Sequence, residues 1–143
     1  MNRDQQPISS ETRPPGCGDA GLQVLLVEDD ESVRRYLEVV LQRFGYQVIC
    51  AADGLAAMKV ALAHPINLVV TDAIMPHLSG IQLARFLRSH EKLATIPIVM
   101  LTARSRDTAE SGDVQVDAFL SKPINPDELK NCLQTLLERP PAV

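Results

Sequence analysis

The chain has 143 residues, 14 Lys and Arg against 18 Asp and Glu for a formal net charge of -4, and 45% apolar residues. This predicts one globular domain with an ordinary core. The mild acidic excess and the few aromatic side chains disfavour a nucleic-acid surface, which needs clustered basic residues and stacking rings. No apolar run approaches the roughly 18 residues of a membrane span, and residues 1–21 lack a signal-peptide pattern, so we expect a cytoplasmic protein without membrane contact.

The two ends of the chain differ in composition from its middle. Residues 1–21 are rich in Pro and Gly and predict a flexible leader or linker. Residues 22–139 are expected to form the folded domain, and the prolines of residues 140–143 end its last helix and leave a short tail. The three cysteines form no metal or redox motif, and we interpret them as reduced thiols. They are Cys17, Cys50 and Cys132.

Five short apolar runs alternate with segments of helical periodicity, a pattern typical of βαβ units around a parallel sheet. The predicted strands are Leu22–Val27, Tyr46–Ala51, Asn67–Thr71, Ile96–Leu101 and Ala118–Ser121. Leu25–Val27 and Leu68–Val70 are apolar at every position rather than at alternate ones. Strands of that kind are covered on both faces, so we expect helices on both sides of the sheet.

Apolar stripes with helical spacing fill the gaps between these strands. The predicted stripes are Val33, Leu37, Val40, Leu41 and Phe44 in a first helix, residues 54–63 as a second, Leu83, Ala84 and Leu87 in a third, and Leu129, Cys132, Leu133 and Leu136 in the last. Gly45 is expected to end the first helix, and Asn125 to cap the last. Residues 103–116 have little apolar stripe, so any helix there is expected to be short or loosely packed.

Polar side chains follow the predicted strands at their carboxyl ends, where open parallel sheets bind ligands. They are Glu28, Asp29, Asp30 and Glu31 after the first strand, Asp72 after the third, Thr102 after the fourth and Lys122 after the fifth. Crowded carboxylates repel one another unless a cation neutralises them, and hard oxygen ligands favour Mg²⁺. With that ion bound, Asp72 could attack phosphorus, while Lys122 offsets the phosphoryl charge and Thr102 donates a hydrogen bond to it.

Each of these residues, taken alone, also has an ordinary structural explanation. Acidic residues after a strand commonly begin a helix, and Asp30 and Glu31 fit that role. Asp72 could belong to a turn, Thr102 to a loop and Lys122 to the surface. Their joint occurrence at successive strand ends favours a functional site.

Four motifs occur in a characteristic order along the chain. They are Leu26–Asp30, Asp72–Pro76, Leu101–Ala103 and Phe119–Pro123. Together they resemble the signatures of the receiver domain of two-component response regulators, and the resemblance covers residues 22–139. It implies an α/β, flavodoxin-like, doubly wound fold with a five-stranded parallel sheet of order 2-1-3-4-5 and helices on both faces.

The resemblance also implies a role for each matching residue. Asp72 would be the phosphoacceptor and a Mg²⁺ ligand, and Asp29 would be a direct Mg²⁺ ligand. Glu28 would be a ligand acting largely through bound water, and Ile74 a ligand through its backbone carbonyl. Thr102 would be the switch hydroxyl and Lys122 the contact to the phosphoryl group, with a cis bond to Pro123. Phe119 would be the switch aromatic that moves inward on phosphorylation, although an aromatic residue in a short strand is more often part of the core.

The sequence departs from the family's pattern in one region. The stretch from Thr102 to Lys122 is shorter than is usual, and Val116–Ala118 stands where the family commonly has Gly-Ala before its fifth strand. Receivers usually contact partners through this region and the last helix. The departure motivates a second hypothesis, a receiver fold that no longer switches and acts as a docking module.

The primary hypothesis is a receiver that takes a phosphoryl group from a histidine kinase or a phosphotransfer protein. Because no effector domain follows in this sequence, we expect output through contact with a downstream protein or a place in a phosphorelay. Alternatively, the chain is the receiver piece of a hybrid kinase, and phosphorylation-dependent homodimer formation stays open.

Aspartyl-phosphate phosphatases carry a second acid two residues after the nucleophile, where this chain has Ile74, so we expect no turnover of external substrates. Ile74 and Arg104 are predicted to influence the lifetime of the acyl phosphate.

Overall fold

The computed structural model describes residues 21–75, 78–103 and 116–138. In these ranges strands and helices alternate as β1 (Gln23–Val27), α1 (Glu31–Arg43), β2 (Gln47–Ala51), α2 (Gly54–Ala63), β3 (Leu68–Asp72), α3 (Gly80–Ser89), β4 (Ile98–Thr102), β5 (Ala118–Ser121) and α4 (Pro126–Glu138). The strands form one parallel sheet in the order β2-β1-β3-β4-β5. The predicted fold class and strand order are therefore confirmed.

The predicted strand boundaries differ from the observed ones by a residue or two, and the difference matters at the site. β3 continues through Asp72, which pairs with Leu101, and β4 continues through Thr102. The ladder extends this far because the next amide, that of Ala73, still donates to the Leu101 carbonyl at 2.8 Å. Asp72 and Thr102 were expected just after their strands, but they are the final strand residues, and backbone hydrogen bonds hold them.

Each face of the sheet is covered by its own pair of helices. Along β1, Leu25 and Val27 pack into a core shared with α2 and α3, whereas Val24 and Leu26 pack into a core shared with α1 and α4. This alternation follows from the twofold period of a strand. Because alternate residues face opposite sides of the sheet, the continuously apolar runs are buried on both faces, as predicted.

The helices begin and end where the sequence places capping residues. Asp30 accepts a hydrogen bond from the Val33 amide at the start of α1, and Asn125 accepts from the Asp127 and Glu128 amides at the start of α4. Gly45 follows α1 with a φ of 100°, a left-handed conformation that glycine adopts without strain. The predicted start of α1 at Asp30 and Glu31, the cap at Asn125 and the helix end at Gly45 are confirmed.

The start of α3 lies directly against the end of β3. A Cβ atom added to Gly80 would collide with the backbone carbonyl oxygen of Asp72 and lie 3.0 Å from the Met100 sulfur. Only a residue without a side chain permits this approach. The helix therefore supports the strand end that carries Asp72.

A contact that the sequence did not predict joins α3 to the amino ends of β4 and β5. Arg88 of α3 donates to the carbonyls of Ala94 and Ile96 at 3.0 and 2.7 Å and to the Asp117 carboxylate at 2.8 Å. The same carboxylate accepts from the Ile98 amide at 2.8 Å, at the first residue of β4. The start of β5 is thereby tied to β4 and to α3.

Two cysteines lie within the described ranges, and both are free thiols in half-buried positions. Burial, with a smaller contribution from Glu38, raises the pKa of Cys50 to about 11, and burial also raises the pKa of Cys132. Cys17 and the weakly periodic segment 104–115 lie outside the described residues. None of the helices in the described part of the chain has the length and apolar character needed to cross a membrane.

Candidate functional site

The carboxyl ends of three strands bring Glu28, Asp72 and Lys122 together. Val27 of β1 pairs with Thr71 of β3, so the residues that follow, Glu28 and Asp72, are neighbours at the sheet edge. Lys122 follows β5 and crosses the end of β4 to reach both acids. Its Nζ donates to Glu28 Oε1 at 3.0 Å and to Asp72 Oδ2 at 3.2 Å. The convergence predicted from strand order is confirmed for these three residues.

Three carboxylates form a compact cluster at this edge. Glu28, Asp29 and Asp72 each offer an oxygen, and these oxygens all lie within 4.8 Å of one another. Glu28 and Asp72 are buried, with 1% and 8% of their surface exposed, whereas Asp29 is exposed. Lys122 brings one positive charge to three negative ones. Hard oxygen donors with an excess of negative charge and one open side fit a Mg²⁺ ion that keeps some of its waters.

Burial and charge set the ionisation of the groups that face one another here. Burial raises the pKa of Glu28, and the hydrogen bond from Lys122 opposes part of that effect. Burial alone would lower the pKa of Lys122, but the hydrogen bond to Glu28 and the charge of Asp72 outweigh it, so the pKa of Lys122 is raised. Lys122 therefore stays an ammonium at neutral pH, ready to contact a further anion.

The backbone around Glu28 is held on every side. Its amide donates to the Ala51 carbonyl at 3.1 Å, and its carbonyl accepts from the Arg34 guanidinium at 2.9 Å. Its second carboxylate oxygen accepts from the Asp30 amide at 3.3 Å. The turn that carries Asp29 is thus fixed by β2 on one side and by α1 on the other.

Thr102 lies at the same edge as Asp72, and Phe119 lies deeper in the sheet. Thr102 is buried at the end of β4, and its carbonyl accepts from the Lys122 amide at 2.7 Å. Phe119 pairs with Met100 in the ladder, is half-buried and packs against the core shared with α2 and α3. This placement suits both a core aromatic and a switch residue, so its switch role stays a prediction.

Ile74 follows Asp72 by two positions, and 68% of its surface is exposed. An exposed aliphatic side chain beside a buried carboxylate can affect how water approaches that carboxylate. Among the described residues no contact bears on its carbonyl as a metal ligand, and that role stays a prediction. Arg104, its predicted counterpart, lies outside the described residues.

An apolar groove of about 560 Å³ adjoins the site on the side of Lys122. It is lined by Ser32, Val33, Tyr36 and Leu37 of α1 and by Lys122, Pro123 and Ile124. Sequence reasoning missed this groove because its two walls are distant in the chain. The sequence carried one signal, because Tyr36 is an aromatic residue on the polar outer face of α1. In the structure 49% of its surface is exposed.

Comparison with known families gives a single consistent result. The family model described as the response regulator receiver domain matches residues 24–134. The transcriptional regulatory protein GltR of Pseudomonas aeruginosa is 36% identical over 121 residues, which is 83% of this chain and 50% of GltR. This chain therefore spans about half the length of that relative.

Two solved structures show the same architecture. The chemotaxis protein CheY4 of Vibrio cholerae superposes with a TM-score of 0.78 at 32% identity, covering 82% of this chain and 100% of CheY4. The receiver domain of the sensor histidine kinase PA1611 from Pseudomonas aeruginosa gives a TM-score of 0.78 at 30% identity, covering 84% of this chain and 100% of that domain. The PA1611 structure has a magnesium ion coordinated in its active site cleft.

Proposed function

The chain belongs to the response regulator receiver domain family, and we propose that it accepts a phosphoryl group on Asp72 in a Mg²⁺-dependent reaction and signals by a conformational change. One observation supports this above all: the Asp72 carboxylate lies 3.2 Å from Lys122 Nζ within a cluster of three acids. The Lys122 ammonium and a cation at the candidate site would offset the negative charge of the carboxylate and that of an incoming phosphoryl group.

Residues of this chain would perform the transfer as follows. A carboxylate oxygen of Asp72 attacks the phosphorus of a phosphohistidine, the P–N bond breaks, and the imidazole leaves with the electron pair. Lys122 donates to a phosphoryl oxygen, and the Thr102 hydroxyl donates to another. Mg²⁺, when bound by Glu28, Asp29 and Asp72, would neutralise charge on the phosphoryl oxygens. Attack of water on phosphorus later returns the Asp72 carboxylate and releases phosphate.

The partners follow from this chemistry. We propose a histidine kinase or a histidine phosphotransfer protein as donor and a cytoplasmic protein as downstream target. The groove between α1 and the Lys122–Ile124 segment is the surface we propose for the donor. It is lined by Lys122, which contacts Asp72, and its apolar lining suits a helix face. Exposed Tyr36 at its rim is the aromatic contact expected of such a surface.

Incubation with acetyl phosphate and Mg²⁺, followed by intact-mass spectrometry, tests the proposal. We expect the mass of one added phosphoryl group, and peptide mapping should place it on Asp72. Chelation of the metal should reduce the adduct strongly. An adduct that persists in Asp72→Asn, or no adduct in the wild type under conditions where it is folded, would contradict the proposal.

We propose that the chain does not turn over external phosphate esters. In aspartyl-phosphate phosphatases an acid two residues after the nucleophile protonates the leaving group, and Ile74 has no proton to give. Hydrolysis of p-nitrophenyl phosphate should therefore stay at the level of the Asp72→Asn variant. A rate well above that level would assign an enzymatic role instead.

A second candidate is a receiver fold that docks partners without switching. It is favoured by the hydrogen bonds of Arg88 and Asp117, which tie β5 to α3 and β4. Amide hydrogen exchange with and without beryllofluoride and Mg²⁺ separates the two candidates. Changed protection in β5 and the residues after it supports the switch, whereas bound beryllofluoride with unchanged protection supports the docking module.

A further inference from the structure

The residue of interest is Arg34, which lies on α1 and reaches back to the end of β1. Its Nη1 donates to the Glu28 carbonyl at 2.9 Å, and its backbone amide donates to the Asp30 carbonyl at 2.9 Å. The amide bond belongs to the backbone of α1, so the guanidinium is the side-chain contact by which Arg34 holds the turn that carries Asp29. Asp29 itself is exposed, so its direction depends on the backbone beneath it.

The Glu28 carbonyl belongs to the peptide group that joins Glu28 to Asp29. A hydrogen bond to that oxygen fixes the plane of the peptide, and the plane fixes the direction in which the Asp29 side chain leaves the backbone. β1 ends at Val27, so the strand ladder does not cover this peptide group. The guanidinium supplies a charge-assisted bond at the point where the ladder stops.

We infer that Arg34 is a positioning residue for the metal site: it orients the Glu28–Asp29 peptide so that the Asp29 carboxylate joins those of Glu28 and Asp72. The inference rests on the proposed function, because it concerns the same Mg²⁺ site. In this role Arg34 acts through the backbone of the metal-site turn, by its hydrogen bond to the Glu28 carbonyl. Groups that orient metal ligands in this way typically affect metal affinity by 10- to 100-fold.

The neighbouring Arg35 offers a matched control. Its guanidinium lies 3.7 Å from Glu31 one turn earlier, and both side chains are largely exposed. Replacing it removes the same charge from the next position of α1 and leaves the contact to the Glu28 carbonyl in place. A general loss of positive charge would therefore affect both variants, whereas loss of the peptide contact affects only the Arg34 variant.

The experiment is a Mg²⁺ titration of the full chain by isothermal titration calorimetry. We expect Arg34→Met to raise the dissociation constant of Mg²⁺ about tenfold and Arg35→Met to leave it within about twofold. Arg34→Lys, which keeps a donor of different reach, should give an intermediate value. In the acetyl phosphate reaction, the half-saturating Mg²⁺ concentration should rise with the dissociation constant, while the rate at saturating Mg²⁺ stays near that of the wild type.

The outcomes distinguish this inference from the proposed function. A wild type that binds no Mg²⁺ defeats the proposed function itself. A wild type that binds Mg²⁺, with equal affinities for the Arg34→Met and Arg35→Met variants, defeats the role of Arg34 alone. Circular dichroism in Mg²⁺-free buffer checks that both variants are folded; if Arg34→Met does not fold, the comparison of Arg34→Lys with Arg35→Lys decides the question by the same criterion.

Discussion

Replacing Lys122 with methionine would remove the ammonium that faces two buried carboxylates while keeping the length of its aliphatic stem. Glu28 is 1% exposed and the Asp72 side chain 12%, so neither acid is well hydrated once its partner is gone. Each charge-assisted hydrogen bond contributes about 1.5–3 kcal/mol, and breaking a buried pair costs about 3–5 kcal/mol. Because the Lys122 side chain is 24% exposed, the lower end applies. We expect a loss of about 3 kcal/mol in the free energy of unfolding at neutral pH without Mg²⁺.

The loss should depend on pH and on Mg²⁺. Burial holds the pKa of Glu28 above its ordinary value of 4.5, so the contribution of Glu28 to stability is fully present below pH 4.5 and is lost as pH rises through its folded-state pKa. Without Lys122 the pKa of Glu28 rises further. The difference in unfolding free energy between Lys122→Met and the wild type should therefore be largest near neutral pH and shrink toward pH 4.5. Added Mg²⁺ should narrow the difference between variant and wild type, because carboxylates without the competing Lys122 ammonium bind the ion more tightly, and an ion that binds only the folded state stabilises it by about 2.7 kcal/mol at a hundred times its dissociation constant.

Urea unfolding followed by far-ultraviolet circular dichroism measures these differences. Lys59→Met is a suitable control, because Lys59 is exposed on α2 and the substitution removes the same charge. The reasoning that Lys122 offsets the charge of the buried carboxylates would be refuted by one result. The Lys122→Met and Lys59→Met variants would have equal unfolding free energies at neutral pH, and Mg²⁺ would not change the difference between Lys122→Met and the wild type.

Three further predictions concern the surrounding fold. Gly80→Ala should lower the free energy of unfolding by about 2 kcal/mol in urea melts, because the new methyl group meets the backbone of β3. Arg88→Met and Asp117→Asn should each lower the free energy of unfolding by about 2 kcal/mol, and their double mutant by less than the sum, because both variants lose the same Arg88–Asp117 ion pair. In a single-cysteine variant, Cys50 should react with a disulfide reagent at neutral pH about tenfold more slowly than an exposed thiol. Burial raises its pKa from 9.0 to about 11, and the smaller thiolate fraction outweighs the greater nucleophilicity of a more basic thiolate; equal rates would contradict this.

The strands and the core of the site could be predicted because they depend on local patterns and one geometric rule. Runs such as Leu68–Val70 have no polar position to expose, so only a strand covered on both faces accommodates them. Once the strands are parallel, their carboxyl ends share an edge, and Glu28, Asp72 and Lys122 must meet there. Strand ends were harder to predict, because Asp72 and Thr102 are polar residues. The ladder still includes them, since the Ala73 amide donates to the Leu101 carbonyl and the Lys122 amide donates to the Thr102 carbonyl.

Contacts that depend on direction or on distant segments could not be predicted. Arg34 and Arg35 are identical in type and adjacent in sequence, yet one contacts the Glu28 carbonyl and the other lies exposed beside Glu31. Only the rotation of α1 on the sheet separates them. Arg88 and Asp117 approach each other across two elements, and nothing local to either residue indicates the partner.

The ionic contacts at the two ends of β5 bear directly on how the domain could signal. Within the described residues, β5 is an edge strand paired with β4 alone. At its start, Asp117 binds Arg88 and the β4 backbone, and beyond its end Lys122 binds Glu28 and Asp72. A phosphoryl group on Asp72 would compete for Lys122 but would leave the Arg88 contact untouched. Any displacement must therefore be greatest near Lys122 and smallest at Asp117, a gradient along the strand that contains Phe119.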